Sequence, residues 1–290
     1  MIRIGIVGAE NSHSAAIART LNVDKRVAGC RVVAIWGETA EFARKAAKAG
    51  KIPAIVAKPA DMIGQIDGVV IDHRHPKYHL PAAEAFLAAR VPMFIDKPFC
   101  YRLSAGKKFL ARARRAGVPV TGYSSVPTQK HFGRFAAKVR RGGPVVAAGT
   151  VGPVDLASPY GGIFFYGINQ VDMLLEAFGT DVSAVGVDAG GKGGHAVASL
   201  FFASGLVATM HCLKDAATGF QIFAVTDDGP AAAKIRNDAN PYLNSTRRFC
   251  KMFATGVEPV DHRRILAPVA VLEAMETAIK TGKVTPVAKV

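Results

Sequence analysis

The sequence has few cysteines, no long apolar run and no basic leader, and each absence argues against a class of protein. Its 290 residues include four cysteines without a C-x-x-C pair, so we expect neither a disulfide framework nor a zinc site. Without a run of about 18 apolar residues, a membrane span is not expected. The first residues enter an alternating apolar segment with no features of a signal peptide, and we expect a cytoplasmic protein.

Acidic residues are scarce as well: the chain has 22 of them against 37 Lys and Arg, a net charge of +15. Twelve basic residues and no acidic residue lie between positions 97 and 154. This excess indicates either an anionic partner, such as a phosphorylated cofactor or an acidic substrate, or an ordinary solvated helix face around Lys107 and Arg112. No helix-turn-helix, zinc finger or aromatic RNA-binding surface is recognisable, so nucleic acid is not an expected partner.

The first 123 residues alternate short apolar strands with helical segments. This alternation predicts right-handed β-α-β units and a doubly wound parallel sheet, the Rossmann domain, whose ligand crevice lies at the carboxyl ends of the strands. The pattern changes after residue 123, where consecutive strands surround one apolar helix at 162–178. Consecutive strands predict an α+β domain with a mainly antiparallel open sheet. The predicted domains are therefore 1–123 and 124–290.

The turn after the first strand partly matches a dinucleotide-binding loop. Gly8 stands where the Gly-x-Gly-x-x-Gly fingerprint needs its first glycine, but Glu10 and His13 replace the second and third. The free N–H groups at the start of the next helix, at Asn11 and Ser12, still favour a phosphate. The alternative is that this turn only caps a helix.

Two further strand ends carry candidate ligands. Glu38 follows the second strand, one position later than the acid that binds a ribose 2′-hydroxyl and favours NAD over NADP; it could equally be an ordinary acid of the first helical turn. His73, His75 and His79 follow the third strand, but Pro76 intervenes and no carboxylate completes a ligand set, so we predict no metal site.

The segment Asp96-Lys97-Pro98 is the strongest local signal. It places a lysine at the carboxyl end of a parallel strand, where desolvation in the crevice would lower its pKa and prepare it for proton transfer. A surface turn is the alternative. In the second half, helical spacing places Phe165, Asn169 and Asp172 on one face, and such polar groups in an apolar segment require a ligand or an internal partner.

Together these motifs resemble the Gfo/Idh/MocA oxidoreductases, a family named for glucose–fructose oxidoreductase and inositol dehydrogenase. Asp96-Lys97-Pro98 is similar to the family's Glu-Lys-Pro motif, and residues 161–174 are similar to its active-site helix. The resemblance implies an NAD- or NADP-dependent dehydrogenase of a sugar or polyol that forms a homodimer or homotetramer. It implies cofactor contacts at Gly8, Glu10, Asn11, Ser12, His13, Glu38, His73, His75, Asp96, Lys97 and Pro98. Substrate contacts are then expected at Lys97, Tyr123, Phe165, Asn169 and Asp172.

The sequence departs from the family at the position of the catalytic base. The family's base histidine corresponds to Asn169 and its partner aspartate to Phe165. Because Asn is not a base near neutral pH, Lys97, Asn169 and Tyr166 are the candidate catalytic residues, with Tyr123 or His75 as other possible bases. The same departures leave two alternatives: a non-catalytic nucleotide- or sugar-binding descendant, and a redox-neutral lyase or glycosidase that retains the cofactor.

Overall fold

The first half of the chain alternates strands and helices as predicted. The structure is a computed structural model that describes residues 1–215 and 219–290. Its first six strands are β1 (Ile2–Val7), β2 (Cys30–Trp36), β3 (Ala54–Ile55), β4 (Gly68–Ile71), β5 (Met93–Ile95) and β6 (Val120–Thr121). The helices between them are α1 (Ser12–Ala18), α2 (Ala40–Gly50), α3 (His79–Ala88) and α4 (Leu103–Ala116).

Local chemistry sets the ends of these helices. The Thr39 side chain accepts the N–H of Phe42 and so caps the start of α2. Helix α4 begins at Leu103, after Arg102 in the cap position with extended dihedrals and no side-chain cap. It ends at Gly117, whose φ of +66° suits a left-handed C-cap.

The six strands form one parallel sheet in the order β3-β2-β1-β4-β5-β6. This order, with helices between the strands, is that of a Rossmann fold, and it confirms the predicted doubly wound sheet. The apolar side chains that cover one face include Ile4, Ile6 and Val70, and they pack with residues of α1 and α2 in one buried cluster.

The second half of the chain forms a different kind of layer. Its strands are β7 (Val145–Pro153), β8 (Val182–Asp188), β9 (Ala196–Phe202), β10 (Val207–Leu213), β11 (Phe220–Thr226), β12 (Gly229–Ile235) and β13 (Thr285–Pro286). Its helices are α5 (Lys130–Arg141), α6 (Ile163–Phe178), α7 (Leu243–Thr255) and α8 (His262–Thr281). None of the helices in the described part of the chain is long and apolar enough to cross a membrane.

The seven strands form a sheet in the order β12-β11-β7-β10-β9-β8-β13. Neighbours are antiparallel except β7 and β10, which run parallel. This mixed, mostly antiparallel sheet confirms the predicted second fold class. Helix α6 packs against β7 and β10, and its many buried apolar residues supply the core of this layer.

The chain divides into two compact units that are not two consecutive segments. The first unit is Met1–Tyr123 with Tyr242–Ile265, and the second is Ser124–Pro241 with Leu266–Val290. The first break coincides with the predicted boundary, but residues 242–265, predicted to lie in the second domain, belong to the first unit. Helix α7 explains this difference, because Phe249 and Phe253 join the apolar cluster that covers β1 and β4.

Candidate active site

The carboxyl ends of three neighbouring strands meet in the first unit. Strand β1 is followed by Gly8, β4 by Asp72, and β5 by Asp96 and Lys97. A side chain at Gly8 could not fit, because its Cβ would lie 2.6 Å from the backbone carbonyl of Asp72 and its φ is +111°. Glycine therefore allows β1 and β4 to stay in close contact up to the edge of the sheet.

Four polar side chains converge at this edge: Asn11, His13, Asp72 and Asp96, which we call the strand-end cluster. Asn11 Nδ2 donates to Asp72 Oδ1 at 2.8 Å and to Asp96 Oδ2 at 3.2 Å. His13 Nδ1 lies 3.0 Å from Asp96 Oδ2 and 3.9 Å from Asp72 Oδ1. The amide and the imidazole thus hold two carboxyl groups together.

Neighbouring charges separate the acidities of these two buried carboxyl groups. Asp72 is fully buried, and burial together with the negative charge of Asp96 holds its pKa well above the ordinary value. Burial acts on Asp96 in the same direction, but the charge and hydrogen bond of His13 and the charge of Lys97 outweigh it and lower the pKa. Asp96 is therefore the stronger acid of the pair.

The cluster also has an unsatisfied acceptor. Asp72 Oδ2 is buried and has no hydrogen-bond partner among the described residues. His13, Asp72 and Asp96 each offer one ligand atom within 4.8 Å of the others, a spacing that a divalent cation could accept. In this structure, however, Asn11 donates to both carboxyl groups, and His13 Nδ1 lies within hydrogen-bond distance of Asp96.

Glu38 lies across the loop that follows β1. Its Oε2 accepts the backbone N–H groups of Ala9 at 2.8 Å and Glu10 at 2.9 Å, whereas its Oε1 is buried without a partner among the described residues. Gly37 allows this approach, because a Cβ there would lie 2.8 Å from that of Ala9. The Glu10 carboxylate itself lies 3.8 Å from the Arg74 guanidinium.

The three histidines after β4 have separate structural roles. His79 is buried, and its two ring nitrogens lie 2.9 Å from the carbonyl oxygen of Pro98 and 2.8 Å from that of His73. His75 Nδ1 accepts the N–H of Lys77 and caps a short helical turn. Burial lowers the pKa of His73 to about 4 and that of His75 to about 4. These contacts tie the segment before α3 to the Lys97-Pro98 turn.

Lys97 and Tyr123 also lie in the first unit. Lys97 is partly buried, and its positive charge lowers the pKa values of both Asp72 and Asp96. The Tyr123 hydroxyl donates to the carbonyl oxygen of Ser245 at 2.9 Å, and the Arg248 guanidinium lies over its ring. Burial raises the pKa of this phenol, so it is poorly suited to act as a base.

The remaining candidates lie on α6 in the second unit. The Ser124 hydroxyl donates to Asn169 Oδ1 at 2.8 Å, and the Ser124 N–H donates to Asp172 Oδ2 at 3.1 Å. Both polar side chains are buried and so have the internal partner that the sequence left open. Phe165 packs between the rings of Tyr160 and Tyr166, and Tyr166 is 41% exposed.

Sequence reasoning missed Asp72, Arg74 and Tyr242 as members of this region. The centroid of the Tyr242 ring lies 4.8 Å from that of the His13 ring, although the two residues are 229 positions apart in the sequence. Asp72 could have been found, because it ends a buried strand next to the strand that carries Asp96. No local signal marks Tyr242.

Comparison with known proteins agrees with this architecture. Residues 2–123 match the family model of the GFO_IDH_MocA oxidoreductases, described as an NAD-binding Rossmann fold. A search of curated protein sequences gave no match.

Solved structures match over almost the whole chain. A putative myo-inositol dehydrogenase from Sinorhizobium meliloti has a TM-score of 0.83 at 20% identity, covering 99% of this chain and 100% of that chain. Myo-inositol dehydrogenase from Lactobacillus casei, solved with NAD(H) and myo-inositol, has a TM-score of 0.85 at 14% identity, covering 100% and 98%. An oxidoreductase from Agrobacterium radiobacter, solved with NAD+, L-tartaric acid and magnesium, has a TM-score of 0.82 at 15% identity, covering 99% and 98%. At these identities the matches establish the fold.

Proposed function

We propose that this chain, whose N-terminal residues 2–123 carry the NAD-binding fold of the Gfo/Idh/MocA oxidoreductases, is an NAD(P)-dependent dehydrogenase of a sugar, polyol or related alcohol. The observation that carries the proposal is the strand-end cluster beside Lys97. It sets ionisable groups at the carboxyl edge of a parallel sheet, the edge at which such folds bind their ligands.

The residues around Gly8 and Glu38 fit a dinucleotide. Gly8 lets β1 and β4 stay in close contact up to the edge where the loop begins, and Glu38 Oε1 is a buried acceptor without a partner among the described residues. A ribose hydroxyl would satisfy that oxygen, whereas a 2′-phosphate would be repelled by the carboxylate, so we propose NAD as the preferred cofactor. The nicotinamide would supply the hydride acceptor.

Titration with NADH and NADPH, followed by nicotinamide fluorescence, tests the cofactor proposal. We expect saturable NADH binding and about tenfold weaker NADPH binding, and we expect Glu38→Gln to remove most of that difference. Glu41→Gln, an exposed acid on α2, is the matched control. Failure of both nucleotides to bind would mean that Glu10 and His13 close the phosphate site, and would favour a non-catalytic sugar-binding protein.

Two groups are proposed to hold the substrate. Lys97 would orient a hydroxyl and assist its proton transfer. Because Asn169 Oδ1 already accepts the Ser124 hydroxyl, Asn169 can offer its NH2 group to a substrate oxygen. Tyr166 and Phe165 would contribute apolar contact, and Asp172 would hold the Ser124 turn in place.

A screen of polyols and sugar acids with NAD identifies the substrate class. Relatives solved with myo-inositol and L-tartaric acid make neutral and anionic polyols the first compounds to test. NADH formation with a member of either set would support a dehydrogenase. Saturable NADH binding without turnover of any member would favour the redox-neutral lyase or glycosidase.

We also propose a homodimer or homotetramer formed through the outer face of the second sheet. Twelve outward positions on β7, β9, β10 and β11 form one face, and none of these twelve side chains is an Asp, Glu, Lys or Arg. The face extends from Val151, His211 and Val197 at one end to Ala147, Val207 and Phe201 at the other. Light scattering of the purified protein tests this. A Phe223→Glu variant should be monomeric.

All four cysteines are free thiols, which supports a reducing compartment.

A further inference from the structure

The contacts of His13 determine which of its nitrogens holds the proton. Nδ1 lies 3.0 Å from Asp96 Oδ2, and Asp96 is the stronger acid of the carboxyl pair. A carboxylate only accepts hydrogen bonds, so Nδ1 must donate. The neutral imidazole then has its lone pair on Nε2, as in other carboxylate–histidine pairs that take up protons.

The other nitrogen is available to a ligand. The His13 side chain is 15% exposed. Among the described residues its Nε2 has no hydrogen-bond partner, and this nitrogen is not fully buried. The Tyr242 ring packs against the imidazole at a centroid distance of 4.8 Å. The ring is therefore held on one edge by Asp96 and on one side by Tyr242, with Nε2 open.

The titratable groups around His13 come from three elements. Asp72 follows β4, Asp96 and Lys97 follow β5, and Tyr242 precedes α7. Asp96 Oδ2 lies 3.0 Å from His13 Nδ1, so a proton taken up by His13 would have its counter-charge at Asp96.

Three other titratable side chains of the first unit, Tyr123, His79 and His75, make backbone contacts instead. The Tyr123 hydroxyl donates to a carbonyl oxygen. Both nitrogens of His79 face carbonyl oxygens, and His75 Nδ1 caps a turn without a carboxylate partner. Asn169, on α6 of the second unit, has no basic atom.

We infer that His13, oriented by Asp96, is the catalytic base of the proposed oxidation and fills the role that Asn169 cannot. The inference rests on the proposed function. The substrate O–H proton passes to His13 Nε2 while the hydride on the same carbon passes to nicotinamide C4, so that C–OH becomes C=O, NAD+ becomes NADH, and the imidazole becomes imidazolium. In this scheme Asp96 is a positioning residue and does not itself take the proton.

The first test needs no substrate. Long-range ¹H–¹⁵N spectra of the intact protein at pH 8 report which ring nitrogen of His13 is protonated. We expect Nδ1–H in the wild type and a change of tautomer in Asp96→Asn, whose amide can donate to Nδ1. An Nε2–H tautomer in the wild type would overturn the inference. So would tight Zn²⁺ binding that Asp72→Asn abolishes, because it would put a cation where we place protons.

The second test separates this inference from the proposed function. With a substrate from the polyol screen and saturating NAD, His13→Asn should lose about 100-fold or more in kcat, and lose the pH dependence of kcat that its imidazole contributes. Added imidazole should restore part of the rate. His131→Asn, a partly exposed histidine on α5, is the control. Retained activity with an unchanged pH profile in His13→Asn would refute the role of His13, whereas absent NADH binding in the wild type would refute the proposed function.

Discussion

The two units bury polar side chains in different ways. In the first, the members of the strand-end cluster bond mainly to one another, and Asp72 Oδ2 and Glu38 Oε1 have no partner among the described residues. In the second, Asn169 and Asp172 both bond to Ser124, one through its hydroxyl and one through its N–H. Buried polar groups that bond to one turn fix that turn, whereas groups that share protons with one another can titrate.

This comparison assigns different work to the two units. The first holds charges and movable protons at the edge of a parallel sheet. The second holds a turn and an amide in place. Changes to the titratable groups of the first should therefore alter rates and pH dependence, whereas loss of the Ser124 hydroxyl in the second should alter stability alone.

The largest expected effect is at Lys97. Replacement by Ala should lower kcat about 1000-fold in the proposed reaction, because the substrate hydroxyl loses the group that orients it. Steady-state rates with the polyol from the screen check this, and Lys107→Ala, exposed on α4, should behave as the wild type. Full activity of Lys97→Ala would remove the assigned role.

Gly8→Ala should give the largest loss of stability. Its Cβ would overlap the backbone of Asp72, and alanine is strained at a φ of +111°, so we expect a cost of about 3 kcal/mol. Urea unfolding measures it. Gly64→Ala separates the two causes, because Gly64 has a φ of +84° but no atom within 4 Å of the added Cβ. Equal losses in both variants would show that strain alone accounts for the effect.

The pH dependence of stability should include a contribution from His73. Burial and the nearby His79 lower its pKa from 6.5 to about 4 in the folded protein. Below pH 6.5 the unfolded chain therefore binds the proton first, so the stabilisation present above pH 6.5 is lost as the pH falls towards 4. Between pH 7.5 and 5 the wild type should lose about 2 kcal/mol more than His73→Phe.

Unfolding free energies at the two pH values measure the His73 contribution. His131→Phe on α5 is the matched substitution in the second unit. A wild type and a His73→Phe variant that lose stability in parallel would mean that His73 does not contribute to this pH dependence.

Ser124→Ala should have the smallest effect. It removes the hydroxyl that Asn169 accepts but keeps the N–H that Asp172 accepts, for a cost of about 1 kcal/mol. The pH dependence of stability should stay as in the wild type. Ser125→Ala at the next position is the control. If Ser124→Ala changed the pH dependence, the contrast between the two units would fail.

Much of the fold could be predicted from sequence because buried strands carry a clear apolar pattern. β1 and β4 are such strands, and both sheets have the predicted classes. β3 was missed because its two residues, Ala54 and Ile55, are exposed and have no pattern to read. The membership of α7 in the first unit was missed because an amphipathic helix does not show which sheet it will cover.

The site was predictable only as a set of positions. Lys97 and Asp96 could be found because a strand ends there, but the pairing of Asp96 with His13 depends on contacts across 83 positions. Glu38 stands one position after the acid that usually binds the ribose. It accepts hydrogen bonds from the N–H groups of Ala9 and Glu10 because Gly37 lets β2 approach the loop after β1. These are properties of packing, which a single sequence does not display.

The discontinuous first unit has a consequence for how the protein is made on the ribosome. Residues 1–123 emerge first, but Phe249 and Phe253, which cover Ile4, Ile6 and Gly68, emerge only after the whole of residues 124–241. The second unit likewise waits for Leu266–Val290. Neither unit can be completed during most of translation, so the nascent chain carries uncovered apolar surface, a target for chaperones, until its last helices are released.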